Sequence, residues 1–589
     1  MKYSKFFFLA LASLSLQVSC KNVLEIEDIN NYNPDKVWND ANLANAYLSG
    51  IYPMFGNWDP AADANSQQLI GVNFYPDRIT ISNGDFKNWN YNRIRLINQA
   101  LVDVNSGSLS ENVKNDITGQ ALFMRAYTYF DMVKYHGGVP YIKTPQDRYN
   151  DDLLVSRNTT KECFQFILAD IDEAITKLPT KILSSSTSYG KIDGSFALAF
   201  KAKVLLYMAS PQFNPKNPFG NSYWEEAYKI NKQAVETLAQ RGYALVPNYE
   251  NITLVERNSE TIFAVINSYP NKVASWDNGV RPGSESRGNA YAVPTWELIK
   301  EYPMKDGRSY SDPKSAYYQT DAQFLQNYWA NRDPRFEKSI VWNGKVYEVS
   351  GKVGKRQYTS LGLAHELDDF GLNPNAGVNS TNINRYSGFF ILKNSMLKLT
   401  QAEVQQYDVD YVLMRYAEVM LNYAETANET GRSAEAIEIL KKIRQRAGIL
   451  AGTDGNYGID VSSKTSIREA ILAERNIEFA FEGHRFWDLR RLRLLNRLDN
   501  QTKHGVEAIA VTAAGTEMLM STARQLAGKY ELKEANFNYS LLEVPRTGVK
   551  VNVLPEKYYF FPIQESVISK NSKIAQNKDW GGTFDPTLD

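Results

Sequence analysis

The chain has 589 residues, with 66 basic and 66 acidic side chains and 12% aromatic residues, 36 of them tyrosine. A balanced charge supplies no net field toward nucleic acid or an anionic surface, so a nucleic-acid role is disfavoured. The aromatic content exceeds what a core of Leu, Ile and Val needs, and part of the surplus is expected to face a ligand. Two cysteines, Cys20 and Cys163, exclude a disulfide framework and any paired-cysteine zinc site.

The first element is MKYSKFFFLALASLSLQVSC, in which Lys2 and Lys5 precede an apolar run from Phe6 to Leu16. That run is too short to span a bilayer as a mature helix and reads as a secretory signal over residues 1–19. Cys20 follows directly, behind Val18 and Ser19, as the acylated first residue of a bacterial lipoprotein would; Gln17 departs from the usual pattern. Acyl chains contribute about 0.8 kcal/mol per buried methylene, so multiple chains anchor a domain firmly. Residues 20–40 then read as a lipidated N-terminus and a polar, Asn-rich tether.

Apolar residues spaced three and four apart predict helices over residues 41–55, 89–104, 117–135 and 163–178. The same spacing predicts helices over 196–210, 224–242, 410–431 and 433–448. Small residues such as Ala121, Ala126, Ala199 and Ala417 recur among bulky ones such as Tyr129, Tyr207 and Tyr423. This alternation suits antiparallel helix pairs of tetratricopeptide type, although no clean 34-residue period exists. Cys163 reads as a small buried apolar residue on its helix.

Between residues 243 and 409 the periodicity fades, and Gly, Asn, Pro and Tyr rise. TIFAVI (261–266) and SIVWNGKVYEVSGKV (339–353) read as strands, the second as a hairpin turning at Asn343 and Gly344. An irregular insert of this size on a helical scaffold is where binding residues concentrate. Residues 56–88 form a second irregular stretch. The resulting divisions are 41–242 for the N-terminal helices, 243–409 for the insert and 410–589 for the C-terminal part.

ERNIEFAFEGHRFWDLRRL (474–492) crowds acids, arginines and a histidine together. A helix beginning near Ser466 would place Glu474, Glu478 and Glu482 at successive i, i+4 positions, about 5–6 Å apart. Retaining glycosidases need carboxyls about 5–5.5 Å apart, so a hydrolase is the alternative to weigh. Against it, Arg475, Arg485, Arg490, Arg491 and Arg493 favour ionised carboxylates, which are poor proton donors. The cluster therefore reads as scaffold. His484 and Asp488 offer two metal ligands without a third. DDFGLNPN (368–375) has acids and amides without EF-hand spacing, which leaves calcium as a weak alternative to having no cofactor. No GxSxG, P-loop, GxGxxG or HExxH motif occurs.

Taken in order, Cys20, WNYNRIRLIN (89–98), ALFMRAYTYFDMVKYHGGVPYI (121–142), FALAFKAKVLLYMAS (196–210), YVLMRYAEVMLNYAET (411–426), AERNIEFAFEGHRFWDLRR (473–491) and YYFFPIQESVISKNSKIAQNKDW (558–580) resemble the SusD/RagB outer-membrane lipoproteins of Bacteroidetes. His136 and Gln564 depart from the usual family residues. The resemblance implies a mainly α fold with four tetratricopeptide-like helix pairs packed against a loop-rich region with short strands, and no enzymatic activity. It further implies lipid anchoring at the cell surface beside a SusC-like TonB-dependent transporter, with glycans or, in the RagB branch, peptides as cargo. By position in the family, the ligand contacts implied here are Asn73, Tyr75 and Arg78, then Trp276, Arg281 and Tyr291 in the insert, with Trp58 outlying.

Overall fold

The structure, a computed structural model, describes residues 34–70, 79–82, 86–286, 292–360, 387–499, 502–544 and 553–588. Eight long helices build its larger part: α1 Tyr91–Asp103, α2 Glu111–His136, α3 Thr160–Lys177 and α4 Gly194–Ala209, followed by α5 Tyr223–Gln240, α6 Tyr416–Glu429, α7 Ser433–Ala447 and α8 Lys464–Glu478. Each packs against the next along the chain, giving four consecutive pairs. The shorter helix Ala41–Ser49 lies against α2.

Local chemistry sets these boundaries. Thr159 and Glu162 close a capping box at the start of α3, and Asp193 accepts from the Ser195 and Phe196 amides at the start of α4. Gly448 ends α7 in the left-handed region at φ 83°. The small residues noted in the sequence sit at the helix contacts, where Ala121, Ala126, Ala199 and Ala417 are fully buried. A Cβ on Gly119 would lie 2.8 Å from Leu178 Cγ, so α2 and the end of α3 approach only because glycine is there.

The insert opens after α5 and closes before α6, two helices that pack on each other. Its ends are stitched together: Thr261–Val265 pairs antiparallel with Tyr411–Arg415. The second of these strands corrects the expected helix over 410–431, which begins only at Tyr416. Three further two-stranded antiparallel sheets occur among the described residues: 69–70 with 293–294, 340–342 with 389–391, and 503–510 with 537–544. The expected hairpin over 339–353 also needs correction. A turn does form at Asn343 and Gly344, but the chain beyond it bonds to residues 355–357, while Ile340–Trp342 pairs with Phe389–Ile391.

Two main cores result. One fills the helical array, where the Phe196 and Phe263 rings stack at 4.2 Å and bring the insert's first strand onto α4. The other lies beneath the insert and gathers Trp58, Trp276, Trp296, Phe324, Tyr328 and Phe389. Much of the aromatic surplus is thus consumed internally: Tyr129, Tyr302, Tyr328, Tyr347 and Tyr358 are all less than 2% exposed. Cys163 is buried, as its helical position predicts.

Candidate functional site

The segment 56–70 and the insert meet through a short ladder, Leu69 opposite Pro294 and Ile70 opposite Val293. Thr295 extends it, its amide donating to the Gln68 carbonyl at 3.0 Å and its hydroxyl to that of Gln67 at 2.5 Å. Lys503 adds a cation from below, its Nζ donating to the Ser66 and Leu69 carbonyls at 3.1 and 2.6 Å. At the start of the segment the side chains of Asn57 and Asn267 bond at 3.0 Å, and Trp58 donates to the Val409 carbonyl at 3.0 Å. Three residues after Ile70 comes Asn73, and two before Val293 comes Tyr291. The backbone therefore joins the described residues that border the two candidate segments, 69–70 and 293–294.

What holds this place is the crowded 474–492 segment. Helix α8 ends at Glu478, and Phe481 and Gly483 take positive φ values of 66° and 76°, which turns the chain back. Glu482 consequently lies beyond the helix, which corrects its expected i+4 position. The turn aims backbone donors at segment 56–70: the Gly483 amide donates to Asp63 Oδ2 at 2.8 Å and the Phe481 amide to Gln68 Oε1 at 3.3 Å. Gln68 Nε2 donates in turn to the Asn476 side chain at 2.8 Å.

The three glutamates are locked to cations from distant parts of the chain. Arg335 of the insert donates to Glu474 at 2.6 Å and to Glu478 at 2.9 Å, while Arg444 of α7 takes the other Glu474 oxygen at 2.7 Å. Arg415 reaches Glu260 at 2.7 Å, Glu478 at 2.8 Å and Glu482 at 2.8 Å. Arg446 bonds Glu260 at 3.0 Å and also Glu478, and Lys393 bonds Glu482 at 2.7 Å. Burial works against each charged carboxylate, yet the arginines outweigh it: Glu474 is held below its ordinary value, Glu478 well below it, and Glu482 at about 2. Ionised, buried and fully engaged, these groups lack both the proton and the access that acid catalysis requires.

The scaffold reading thus stands, although its partners differ from those expected. Arg475 and Arg491 serve Asp488, at 2.8 and 2.9 Å, and Arg491 also serves Glu425 at 2.6 Å. Arg490 donates to the Lys134, Tyr135 and Tyr558 carbonyls, and Arg493 pairs with Glu556. His484 stacks on Phe479, while Asp488 is committed to arginine. No group of three His, Cys, Asp or Glu among the described residues is placed to hold a metal ion.

Of the sequence-predicted ligand residues, Asn73, Tyr75, Arg78 and Tyr291 lie outside the described residues, as do Cys20 and the 368–375 segment. The other three are placed in the interior, which corrects the expectation that they face a ligand. Trp276 is 0% exposed, packs on Trp58 at 5.0 Å and donates to the Lys393 carbonyl at 3.1 Å. Arg281 is 0% exposed, pairs with Asp277 at 2.6 Å and donates to the Leu399 carbonyl at 2.7 Å. Trp58, at 7%, lies edge-on to Tyr411. Trp58 and Trp276 fill the second core, and Arg281 ties the 276–281 turn to the Met396 and Leu399 carbonyls. The residues that seat segment 56–70, Asp63, Gln67, Gln68 and Lys503, were not singled out in the sequence. They carry no spacing signal, because their partners lie more than 200 residues away.

Asp63 is the exception in this electrostatic arrangement. Burial, against the opposing pull of the Gly483 and Arg485 amides, raises its carboxyl to about 7, with Glu482 adding to the rise and Lys393 opposing it.

Comparison with known proteins places this architecture. The SusD family model matches residues 256–580, more than half of the chain, and a second model, described as starch-binding associating with outer membrane, matches residues 31–206. SusD-like protein P38 of Formosa agariphila is 24% identical over 524 residues, covering 82% of this chain and 90% of that protein. SusD-like protein P2 of the same organism is 25% identical over 418 residues, covering 69% and 71%. Among solved structures, a SusD-like protein of Bacteroides fragilis superposes with a TM-score of 0.71 at 24% identity over 92% of this chain and 98% of that one. A laminarin-binding SusD-like protein superposes with a TM-score of 0.57 at 19% identity, covering 92% and 99%. With its paired helices, its insert and these matches along nearly its whole length, the chain belongs to the SusD family.

Proposed function

We propose that the protein captures glycans at the cell surface and delivers them to a SusC-like TonB-dependent transporter of the outer membrane, without catalysing any reaction on them. The observation that carries this reading is the joining of segment 56–70 to the insert at residues 293–295, held by a buried ionic network. Sugar recognition needs aromatic faces and fork-like donors held in fixed positions, which a rigid scaffold supplies. Tyr75, Arg78, Asn73 and Tyr291 are the side chains assigned to the contact. The descriptions of the starch-binding model and of the laminarin-binding relative support a carbohydrate over other cargo. No helix among the described residues is long and apolar enough to cross a membrane. Attachment is assigned to lipid on Cys20, so Cys20→Ala should release the protein from the membrane fraction.

Affinity electrophoresis and calorimetry against a polysaccharide panel that includes laminarin and starch test the reading. At least one glycan should bind, and Tyr75→Ala, Arg78→Ala and Tyr291→Ala should each weaken it about tenfold or more. Silence across the panel with tight binding of peptides would transfer the assignment to RagB-type peptide capture. Release of reducing ends from a bound glycan would sink the non-catalytic part.

A further inference from the structure

Behind the turn that seats segment 56–70, a cleft of about 140 Å³ opens between α2, α4, α6 and the start of the 411–415 strand. Gly483, whose amide holds Asp63, forms part of its wall. The charged lining is spent internally. Lys203 pairs with Glu418 at 2.8 Å, Lys134 with Asp131 at 2.8 Å and Arg475 with Asp488 at 2.8 Å, while Glu482 is held by Arg415 and Lys393. The cleft therefore offers no unpaired charge that would select an ion.

What remains unspent is neutral. Tyr207, Tyr411, His484 and Trp487 line the cleft, and the two hydroxyls, the imidazole and the indole N–H have no hydrogen-bond partner among the described residues. The Asn422 amide nitrogen on the floor is sealed off, but these four groups are not. Tyr411, His484 and Trp487 are half-buried, and Tyr207 lies deepest, at 5% exposure. Burial pushes the His484 imidazole down to about 4, so the ring is uncharged at neutral pH. Aromatic rings that each carry one uncharged donor or acceptor match an uncharged ring that bears hydroxyls. The volume equals about five waters' share of the liquid, enough for the end of one sugar unit and too little for a chain. We propose that this cleft is a subsite for one neutral sugar unit of the captured glycan, whose hydroxyls bond to Tyr207, Tyr411, His484 and Trp487. The assignment rests on the glycan reading and adds to it contacts supplied by the helical array.

Calorimetry of the purified protein against the polysaccharide panel, laminarin and starch included, tests it with Tyr411→Phe and Tyr207→Phe. Each variant deletes one hydroxyl and keeps the ring that packs. Each should weaken the glycan that binds about fivefold, and the double variant about twentyfold, with an unchanged thermal midpoint. Saturating glycan should also slow amide exchange over residues 483–488 of the wild-type protein, which a purely structural role for these rings would not produce. Should the double variant fail to fold, Tyr411→Phe decides alone. Affinity indifferent to the loss of these hydroxyls, or exchange at 483–488 unmoved by glycan, overturns the subsite and leaves glycan capture standing. A wild-type protein that binds no glycan removes both.

Discussion

The helical array and the insert are stabilised by different physics. Helices α1 to α8 bury one another largely in chain order, with α5 and α6 meeting across the insert, and caps such as Thr159 and Gly448 act within a single turn. The insert has few regular elements, and its fixed points are long-range: Arg335 to Glu474, Lys393 to Glu482, Trp58 to Trp276. Where a scaffold must hold irregular loops, directional charge-assisted bonds replace the repetitive packing that helices supply. Damage to the insert's ionic floor should therefore propagate, whereas damage to a cap should stay local.

The largest expected effect comes from Arg415, which alone touches Glu260, Glu478 and Glu482. Arg415→Leu takes one cation from each of three carboxylates that keep others and leaves a hole in the ionic floor, and should cost about 3 kcal/mol, read as a lowered urea midpoint. Acid should dissolve the same floor selectively. Glu482 is depressed from 4.5 to about 2, so the stability that it contributes is complete above pH 4.5 and lost as pH falls toward 2. Near-ultraviolet circular dichroism, which reports the insert's packed aromatics, should fade across that window before the far-ultraviolet helical signal. An unchanged near-ultraviolet spectrum at pH 2 would remove the ionic floor from the account.

Smaller effects sharpen the contrast. Thr159→Ala removes the capping box of α3 and should cost about 1 kcal/mol in thermal unfolding, with no change in glycan affinity. Asp63 runs opposite to Glu482: its carboxyl is raised from 3.8 to about 7, so its contribution is full below pH 3.8 and lost as pH rises through 7. Hydrogen exchange of segment 56–70 should accelerate several-fold between pH 6 and 8.5 after correction for intrinsic chemistry. Asp63→Asn should flatten that change. An equal acceleration in the variant would dismiss Asp63 as its source.

The array was legible because helical burial writes a 3.6-residue period into the chain, and most of the expected helices fall within three residues of those observed. The scaffold character of the acid cluster was legible too, since arginines nearby argue for ionised carboxylates. Its partners were not: Arg335 and Glu474 are 139 residues apart, and nothing in composition links them. Trp276 and Arg281 were misplaced because an aromatic or an arginine in an irregular segment does not disclose which way it points. One signal was present in Asp277 and Arg281, an acid and a base one helical turn apart, which satisfy each other inside the fold. Residues 411–415, read as helix, pair as strand because the buried strand Thr261–Val265 requires a partner that local periodicity cannot specify.

Because Thr261–Val265 and Tyr411–Arg415 run side by side, residues 266–410 leave and re-enter the array through a single narrow gate. Exchanging that module for another would be topologically simple, requiring only two adjacent splice points. It would not be electrostatically neutral: the module carries Arg335 and Lys393, and a replacement lacking equivalents would abandon Glu474 and Glu482 to fewer cations. Exchange of the insert on this platform is thus constrained to modules that bring their own countercharge to the junction.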